Sequence, residues 1–412
     1  MKRAWCGAMV ALAATAAGGQ AQSGRPAEVP LPNWVRSAVA KDDGTVIQSA
    51  PAEGASRRGT VKRGTRLSVE ERVRAPGCPQ DRWLRLQSSA YVCEAHVEFS
   101  RLSPMGANLA WPLPGSVLPL TYGVVQVDGS RRFAHPSDYE ADQFLDTLGK
   151  SFTVVTIGRE SYGGVSFHRT RGGHWILSDV LSEPEPSTFV GVTLRQRSLP
   201  LAWVIVPSAR VYAAPGRSPG TGRQPYREVL SLRPESGSGE WVTLLDGGRM
   251  RARDLRVATA SPRPSGVGPE ERWVDVNLSQ QTLVAYEGDR PVYATLISSG
   301  RPRKDLRTPT GEFRLWVKLA HQDMDDLERE DVESNYAVEG VPWVQFFKGA
   351  YGFHAAFWHD DFGQPRSHGC INLSPRDARW LFDFTAPTLP RGWYAILPVE
   401  EDPGTLVRIR EP

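Results

Sequence analysis

Short runs of alternating apolar and polar residues recur along most of the chain, and glycine, proline or charged turns separate them. Within residues 41–100 one such run contains Trp83. Within residues 200–258 the run at the corresponding position in the order of runs contains Trp241. A period of two residues is typical of half-buried strands, and a repeated order of runs is typical of an internal repeat. We therefore predict a mainly β protein with two small, related β modules.

Between these modules, residues 105–195 have strand-like runs of their own and predict a β-rich module, which is either a third copy of the repeat or an unrelated unit. Residues 259–271 contain three prolines and two glycines without apolar periodicity, which predicts a linker. Strand-like runs follow at 273–278, 282–286 and 292–297, the last two forming a predicted hairpin.

One clear helix is predicted near the C-terminus. It begins at Ser374, a residue type that caps helices, with Pro375 and Asp377 in the first turn. Its isolation among strand-like runs indicates that this part of the chain is mainly β as well. At 412 residues the whole chain has room for about two to four domains.

Charge and the N-terminal segment limit the partners and the location. The 49 basic and 46 acidic residues give a net charge of only +3, so no nucleic-acid partner is expected. Residues 1–21 begin with two basic residues, continue in a short apolar run and end in small residues, which predicts a cleaved secretory signal. We expect a mature protein that does not span a membrane and lies in the periplasm or cell envelope.

Export changes how the cysteines are interpreted. Without the signal segment three remain: Cys78, Cys93 and Cys370. Cys78 and Cys93 lie close together within one module, and oxidising compartments favour pairing. We therefore expect one disulfide, Cys78 to Cys93, and one free thiol whose retention calls for a chemical role.

The surroundings of Cys370 suggest that role. The thiol lies between His354 and His368, and a thiol needs a nearby base or cation to become a nucleophile. Gly369 allows close approach of the backbone to a ligand, so the amides of Gly369 and Cys370 are candidate donors to an oxyanion. These are the parts of an acyl-transfer site.

The order of residues in this segment indicates a more specific type of site. The sequence Ser-His-Gly-Cys-Ile-Asn at 367–372, preceded by Gly-Phe-His at 352–354, resembles the signature of the L,D-transpeptidases, the YkuD-type catalytic domain of bacterial cell-wall enzymes. Residues 274–283 and 308–313 resemble earlier landmarks of the family, in the same order. The resemblance covers residues 272–399 and implies a β-sandwich with short helices.

The resemblance also implies roles for single residues. Cys370 would be the nucleophile and His354 the general base, while His368 would shape the oxyanion hole with the Gly369 and Cys370 amides. Ala355 follows the base where relatives often have Gly, Ser or Thr, so we expect a backbone carbonyl to orient His354.

The remaining polar residues near the motif have less definite roles. Ser367 is interpreted as a turn residue, and Asn372 bonds either to loop backbone or to a substrate amide. His359 and Asp360 are interpreted as exposed loop residues rather than as a metal or triad partner.

By the same resemblance, the donor would be a peptidoglycan stem tetrapeptide and the acceptor a side-chain amine of a neighbouring stem. A protein lysine or water as acceptor would give wall anchoring or L,D-carboxypeptidase activity instead. No metal or organic cofactor is expected. The two or three N-terminal modules resemble bacterial SH3-like barrels, for which wall glycan is a candidate ligand.

In this family, insertions before the first histidine form a lid over the substrate groove. Here the acidic run 323–333 is either an amine-attracting lid or a solvated helix, and the aromatic stretch 343–347 either lines the groove or packs as a strand. Two rival functions remain. One is a Cys-His amidase of the NlpC kind, although there the cysteine precedes its histidine, and the other is a wall-binding scaffold without activity.

Overall fold

The computed structural model describes residues 26–106, 111–215, 219–235, 239–327 and 336–411. The predicted signal segment 1–21 and part of the acidic run 323–333 lie outside the described residues. The described chain is mainly β, as predicted, with one α-helix and several short 3₁₀ helices. Among the described residues, no helix has the length and apolar character that crossing a membrane requires.

The first unit begins earlier than the predicted boundary at residue 41. Its strands are β1 (Ala27–Glu28), β2 (Ser37–Ala40), β3 (Thr45–Gln48), β4 (Arg57–Val61), β5 (Arg66–Leu67), β6 (Glu71–Arg74), β7 (Arg82–Gln87), β8 (Ala90–Cys93) and β9 (Val97–Ser100), with 3₁₀ helices at Pro79–Asp81 and Glu94–His96. β2 pairs antiparallel with β9, and Ala38 in β2 is fully buried. The unit therefore includes β2.

A disulfide joins Cys78 and Cys93, with an S–S distance of 2.04 Å and 5.6 Å between the Cα atoms. Both cysteines pack with the buried indole of Trp83 and with Val73 in one small cluster. Closing a loop of about 15 residues stabilises a fold by about 3 kcal/mol in the chain-entropy model. Cys370 is the free cysteine of the described residues.

The second unit follows the first in the chain and lines part of the groove described below. Its strands are β10 (Thr121–Val125), β11 (Ser130–Phe133), β12 (Asp146–Leu148), β13 (Thr153–Tyr162), β14 (Val165–Thr170), β15 (Trp175–Leu177) and β16 (Leu181–Ser182), with 3₁₀ helices at Pro136–Tyr139 and Ser178–Val180. It has a small aromatic core of Phe133, Phe167 and Trp175. Its strand β10 also pairs with β16, so the two ends of the unit lie side by side.

After β17 (Val192–Thr193), the chain forms a third unit. Its strands are β18 (Leu201–Val204), β19 (Ser208–Tyr212), β20 (Pro219–Pro225), β21 (Val229–Ser231), β22 (Trp241–Thr243), β23 (Arg249–Arg251) and β24 (Leu255–Ala258), with a 3₁₀ helix at Ala252–Asp254. Trp241 is only half-buried, whereas Trp83 of the first unit is buried. The two tryptophans that suggested the repeat thus differ in their environments, and the SH3-like assignment of the units stays a prediction.

The C-terminal domain contains two sheets and the helix. Its elements are β25 (Arg272–Asn277), β26 (Thr282–Glu287), β27 (Arg290–Leu296), β28 (Gly311–Arg314), β29 (Val317–Asp325), β30 (Ala337–Lys348), β31 (Tyr351–Ala355), β32 (Ile371–Leu373), α1 (Pro375–Phe384), β33 (Trp393–Ile396) and β34 (Leu406–Arg410). One sheet has the order β17-β27-β26-β25-β34-β28, and β29 to β33 form the other. One core cluster contains residues of both sheets and of α1.

Local signals in this domain were interpreted correctly. β26 and β27 form the predicted hairpin, with Glu287 opposite Arg290. Ser374 caps α1 by accepting a hydrogen bond from the Asp377 amide. The predicted end at residue 399 is too early, because β34 pairs parallel with β25 and completes the sheet.

The predicted linker 259–271 packs against the C-terminal domain. The Ser261 amide donates to the hydroxyl oxygen of Tyr286 at 2.9 Å, and Arg408 donates to the Pro262 carbonyl at 2.9 Å. Val267 is buried in the core cluster that contains Trp273. This proline-rich segment therefore packs on the C-terminal domain instead of forming an unattached linker.

Strand pairing also joins the N-terminal units to the C-terminal domain. β4 of the first unit pairs antiparallel with β33, and Arg58 beside it donates to the Leu397 carbonyl and to the Asp402 carboxylate. β13 of the second unit meets β30 in parallel through Thr153 and Val338. These contacts fix the position of both units relative to the groove.

Candidate active site

The candidate nucleophile and base are positioned by two neighbouring strands. β31 and β32 pair in parallel, with Phe353 opposite Ile371 and His354 opposite Asn372. Cys370 lies immediately before β32, at the level of Gly352. His354 and Cys370 both line one groove, so the register of this strand pair brings together the two residues that the sequence motif separates.

The resting state of Cys370 is the neutral thiol. Burial raises the pKa of this thiol to about 11, and the hydrogen bond from the Gly352 amide only partly opposes that rise. The sulfur also lies 3.5 Å from the Ala350 carbonyl oxygen, to which a thiol can donate. Attack on a carbonyl therefore requires a base that removes the thiol proton.

His354 is arranged as that base. Its imidazole is 4% exposed, and burial lowers its pKa to about 4, so it is neutral near pH 7. Nδ1 lies 3.0 Å from the Ala355 carbonyl oxygen. Because a carbonyl only accepts, Nδ1 carries the proton and Nε2 keeps its lone pair. The expected orienting bond from a backbone carbonyl is confirmed.

The turn before Cys370 is held by Ser367. The Gly369 amide donates to Ser367 Oγ at 3.0 Å, and Ser367 Oγ in turn donates to the Cys370 carbonyl. Ser367 is thus the predicted turn residue. The Gly369 amide is occupied within the turn, so the Cys370 amide is the member of the predicted pair that stays a candidate oxyanion donor.

Gly369 itself meets two separate demands. Its φ of +126° lies in a region that side chains disfavour. A Cβ at this position would also come within 2.5 Å of Cε1 in the Tyr351 ring. The glycine of the motif is therefore required by the turn and by the ring that packs on it.

A second chain segment supports the turn from the other side. Ser298 pairs with Asn372 through two main-chain hydrogen bonds of 2.9 and 2.8 Å, and Gly300 forms a bridge to Ser367. Thr308 Oγ1 accepts from the Gly300 amide and donates to the Gly369 carbonyl oxygen. The landmark at 308–313 thus contributes a hydroxyl that holds the catalytic turn.

His368 also lines the groove. It is exposed, and its ring stacks on Tyr336 with centroids 4.9 Å apart and planes at 22°. Tyr336 is the first described residue after the acidic run. This contact lies outside the acidic run 323–333, and the role of His368 at an oxyanion stays a prediction.

His359, which we interpreted as an exposed loop residue, is instead half-buried in the groove. Its Nδ1 accepts from the Asp361 amide at 3.2 Å, and burial lowers its pKa to about 4. The neutral ring therefore carries its proton on Nε2, which lies 3.1 Å from the Asn372 amide. No motif marks His359, and only its place between His354 and Cys370 hints at it.

Asn372 is 3% exposed and lines the groove. Since His359 Nε2–H donates, the amide is oriented with its oxygen toward His359. The second polar atom of this side-chain amide, the one that does not face His359, has no hydrogen-bond partner among the described residues. Of the two alternatives, the bond to loop backbone is absent from the side-chain contacts that the structure describes, and the substrate amide stays a prediction.

Met324 of the acidic run 323–333 lines the groove, and the role of that run as a lid stays a prediction. Trp343, Phe346 and Phe347 are all buried in the core, so of the two alternatives for the aromatic stretch the structure shows the packed strand. The acidic run starts within strand β29 rather than in a helix, and Asp323 there pairs with Arg171 of the second unit at 2.5 Å.

The groove has a volume of about 1060 Å³, and two parts of the chain line it. One side consists of the catalytic loops and strands of the C-terminal domain. The other side consists of the second unit and the residues that follow it, including Val124, Thr153 and 182–185. The described residues thus form an extended site that is large enough for peptide segments.

With this geometry in place, comparison with known families decides the class of the domain. Residues 271–409 match the YkuD family, the L,D-transpeptidase catalytic domain. YciB of Bacillus subtilis (strain 168), a protein whose name proposes the same activity, is 28% identical over 138 residues, which cover 29% of this chain and 67% of YciB. The C-terminal region is thus an L,D-transpeptidase catalytic domain with distant relatives.

Solved L,D-transpeptidase structures match the same region. The enzyme from Xylanimonas cellulosilytica DSM 15894 is 21% identical. The match covers 36% of this chain and 64% of the chain of that enzyme, with a TM-score of 0.24. The catalytic domain of the E. faecium enzyme is 24% identical and covers 34% of this chain and 98% of its own, with a TM-score of 0.26. The SH3-like assignment of the N-terminal units stays a prediction.

Proposed function

We propose that this protein is an L,D-transpeptidase that cross-links peptidoglycan stem peptides through a thioester on Cys370. The observation that carries the proposal is the fixed tautomer of His354. The Ala355 carbonyl holds the Nδ1 proton, so Nε2 offers a lone pair in the groove that Cys370 also lines. A buried base with that tautomer in the same groove as a neutral thiol is suited to proton abstraction during attack.

In the first step, the Cys370 proton passes to His354 Nε2 while the sulfur attacks the peptide carbonyl before the terminal D-Ala. The carbon–nitrogen bond then breaks, the D-Ala nitrogen takes the proton from His354, and a thioester remains on Cys370. The Cys370 amide is the proposed donor to the oxyanion. Every group in this step belongs to the protein or the donor, and no metal or organic cofactor takes part.

In the second step, an acceptor amine loses one proton to His354 and attacks the thioester carbonyl. The carbon–sulfur bond breaks, and the sulfur takes the proton back from His354. The product is a new amide between two stems, and the enzyme returns to its starting protonation state. Water in place of the amine gives L,D-carboxypeptidase activity, and a protein lysine gives wall anchoring.

The proposal includes export, on the basis of the signal-like residues 1–21. Stem peptides lie outside the cytoplasmic membrane, so the periplasm or cell envelope is the matching location. Contact of the N-terminal units with wall glycan is a further part of the proposal that rests on their resemblance to SH3-like barrels alone.

The test is incubation of the purified protein with defined disaccharide-tetrapeptides, followed by mass spectrometry. We expect cross-linked dimers that have lost one D-Ala, and we expect none with Cys370→Ala. Shortened monomers without dimers would assign carboxypeptidase activity instead. Unchanged substrate with the wild-type protein would contradict the enzymatic proposal and favour the scaffold alternative.

A further inference from the structure

The groove wall opposite the catalytic loops belongs to the second unit, and this unit is fixed to the catalytic domain. The Tyr122 hydroxyl donates to the Gly340 carbonyl at 2.7 Å, and the Val155 amide donates to the Glu339 carboxylate at 2.9 Å. Tyr122 and Val155 also lie in the core cluster of the C-terminal domain. The wall is therefore a permanent part of the site.

Two of the five charged residues that line the groove, Asp360 and Arg366, have ionic partners of their own. Asp360 pairs with Arg227 at 2.8 Å, and Arg366 pairs with Asp361 at 2.5 Å. Glu183 and Glu185, on the wall of the second unit, form no ion pair among the described residues. The two carboxylates are exposed, and their charge is left for something that enters the groove.

Glu183 does act electrostatically on one neighbour, His168 of strand β14. Burial and Arg159 hold the pKa of His168 below its usual range, so this imidazole is neutral near pH 7 and does not cancel the carboxylate. Of the residues of the second unit that line the groove in the described part of the chain, Glu183 and Glu185 are acidic and none is basic. A negatively charged cleft raises the local concentration of cations.

An independent feature of the same groove indicates a polar ligand. Asn372 is 3% exposed, and one polar atom of its amide has no partner among the described residues. A buried polar atom without a partner costs free energy unless a ligand or water completes its bond. Asn372 lies two residues after Cys370, and both line the groove, so a peptide bound at the nucleophile could complete that bond.

We propose that residues 182–185 form the acceptor subsite, where Glu183 and Glu185 capture the ammonium group of the attacking amine. This inference rests on the proposed function and adds the place and the chemistry of the second substrate. The carboxylates collect the protonated amine, which first loses one proton to water and so gains the lone pair needed for attack. A second proton passes from the nitrogen to His354 during attack on the thioester, and from His354 to the leaving sulfur of Cys370. Water needs no such capture, so the subsite biases the enzyme toward transfer over hydrolysis.

The test uses the full chain, a defined tetrapeptide donor and Nα-acetyl-lysine amide as a singly charged acceptor probe. Acylation of Cys370 by the donor alone is followed by mass spectrometry of the intact protein. Transfer and hydrolysis products are then measured over a range of probe concentrations. The variant is Glu183→Gln with Glu185→Gln, and the matched control is Glu140→Gln with Glu160→Gln, two exposed glutamates of the same unit outside the groove.

We expect the groove variant to raise the acceptor KM by about three- to tenfold, with acylation and hydrolysis unchanged, as the loss of two nearby charges predicts. The difference from wild type should shrink in 1 M salt, where the Debye length is about 3 Å. The control variant should behave as wild type.

An unchanged acceptor KM, or an equal rise in the control variant, would overturn the acceptor subsite while leaving the proposed function intact. A rise that persists in 1 M salt would also overturn it, because capture by charge would not be the cause. Absence of Cys370 acylation in the wild-type protein would instead overturn the proposed function, and the acceptor subsite with it.

Discussion

Thr308 Oγ1 donates a hydrogen bond of 2.8 Å to the carbonyl oxygen of Gly369, the residue before the nucleophile. The same oxygen accepts from the Gly300 amide at 2.9 Å. A single buried hydroxyl therefore links the segment that contains Gly300 and Thr308 to the catalytic turn, where Gly369 lies 61 residues after Thr308. The position of Cys370 depends on this link.

Replacing Thr308 with valine keeps the shape of the side chain and removes both bonds. Two buried backbone groups then lack partners, and we expect a loss of about 1–3 kcal/mol in unfolding free energy. A displaced turn should slow acylation of Cys370 by about ten- to hundredfold. Urea denaturation and acylation kinetics measure the two effects.

The control for that change is Thr310→Val, since Thr310 is exposed and lies in the same segment. It should leave both stability and acylation near wild type. Wild-type acylation in Thr308→Val would show that the turn is held by other contacts.

Gly369→Ala should abolish acylation for two physical reasons. The residue has a φ of +126°, and its new Cβ would meet the Tyr351 ring at 2.5 Å. Adding Tyr351→Ala removes the clash but not the backbone strain, so the double variant should recover only part of the rate. Gly158→Ala, at a site with open space around it, is the matched control. Full recovery in the double variant would mean that the ring contact alone matters.

The parts of this site that the sequence predicts are those with local signals. The motif around Cys370 gives the nucleophile and His354, and the cap at Ser374 gives the start of α1. Each depends on residues that are close together in the chain. The structure confirms the backbone bond that orients His354 and the cap at Ser374, whereas the catalytic roles of Cys370 and His354 stay predictions.

The parts that the sequence did not predict depend on contacts between distant segments. The second unit reaches the groove through contacts with distant residues, such as the pairing of Thr153 with Val338 across 185 positions, which leaves no local pattern in the sequence. The sequence left two alternatives for the aromatic stretch around Phe346, because a strand buried on both faces lacks the polar alternation that reveals its orientation. His359 was missed because its burial comes from packing around the groove.

Arg301 lies at the groove, and its amide donates to the Ser367 carbonyl at 3.1 Å. Its guanidinium forms no ion pair among the described residues, which makes it a candidate partner for the carboxylate of the donor's terminal D-Ala. Arg301→Gln should therefore raise the donor KM by about three- to tenfold and leave the acceptor KM unchanged. Arg303→Gln, an exposed neighbour that faces Asp305 at 3.9 Å, is the control. A change in the acceptor KM alone would exclude this role.

Lys318 is fully buried, and its ammonium donates to the carbonyl oxygens of Phe382 and Thr385 at the end of α1. Burial lowers its pKa to about 7. Between pH 7 and about 10.4, the unfolded chain binds the proton that the folded chain has lost, so unfolding free energy should rise with pH.

Lys318→Met removes this titration and should flatten the pH dependence in that window. It also leaves the Phe382 and Thr385 carbonyls without this donor at every pH. Urea denaturation of both proteins at several pH values gives the difference directly. Parallel curves for the two proteins would show that Lys318 titrates alike in the folded and unfolded chains.

The protonation states of Cys370 and His354 make a last prediction. With pKa values of about 11 and about 4, neither group changes its charge between roughly pH 5.5 and 9.5. The value of kcat/KM for acylation by the donor should therefore be nearly flat across that range, and neutral His359, whose pKa is also about 4, does not disturb it.

Alkylation by iodoacetamide, which needs the free thiolate, should behave differently. Only about one thiol in ten thousand is ionised at pH 7, so the alkylation rate should be low and should rise about tenfold per pH unit up to pH 10. The flat acylation profile and the steep alkylation profile together would mean that the base acts only when a substrate is present. A bell-shaped acylation profile with pKa values between 6 and 8, or rapid alkylation at pH 7, would instead indicate a resting thiolate–imidazolium pair and would contradict the neutral thiol and imidazole described for the site.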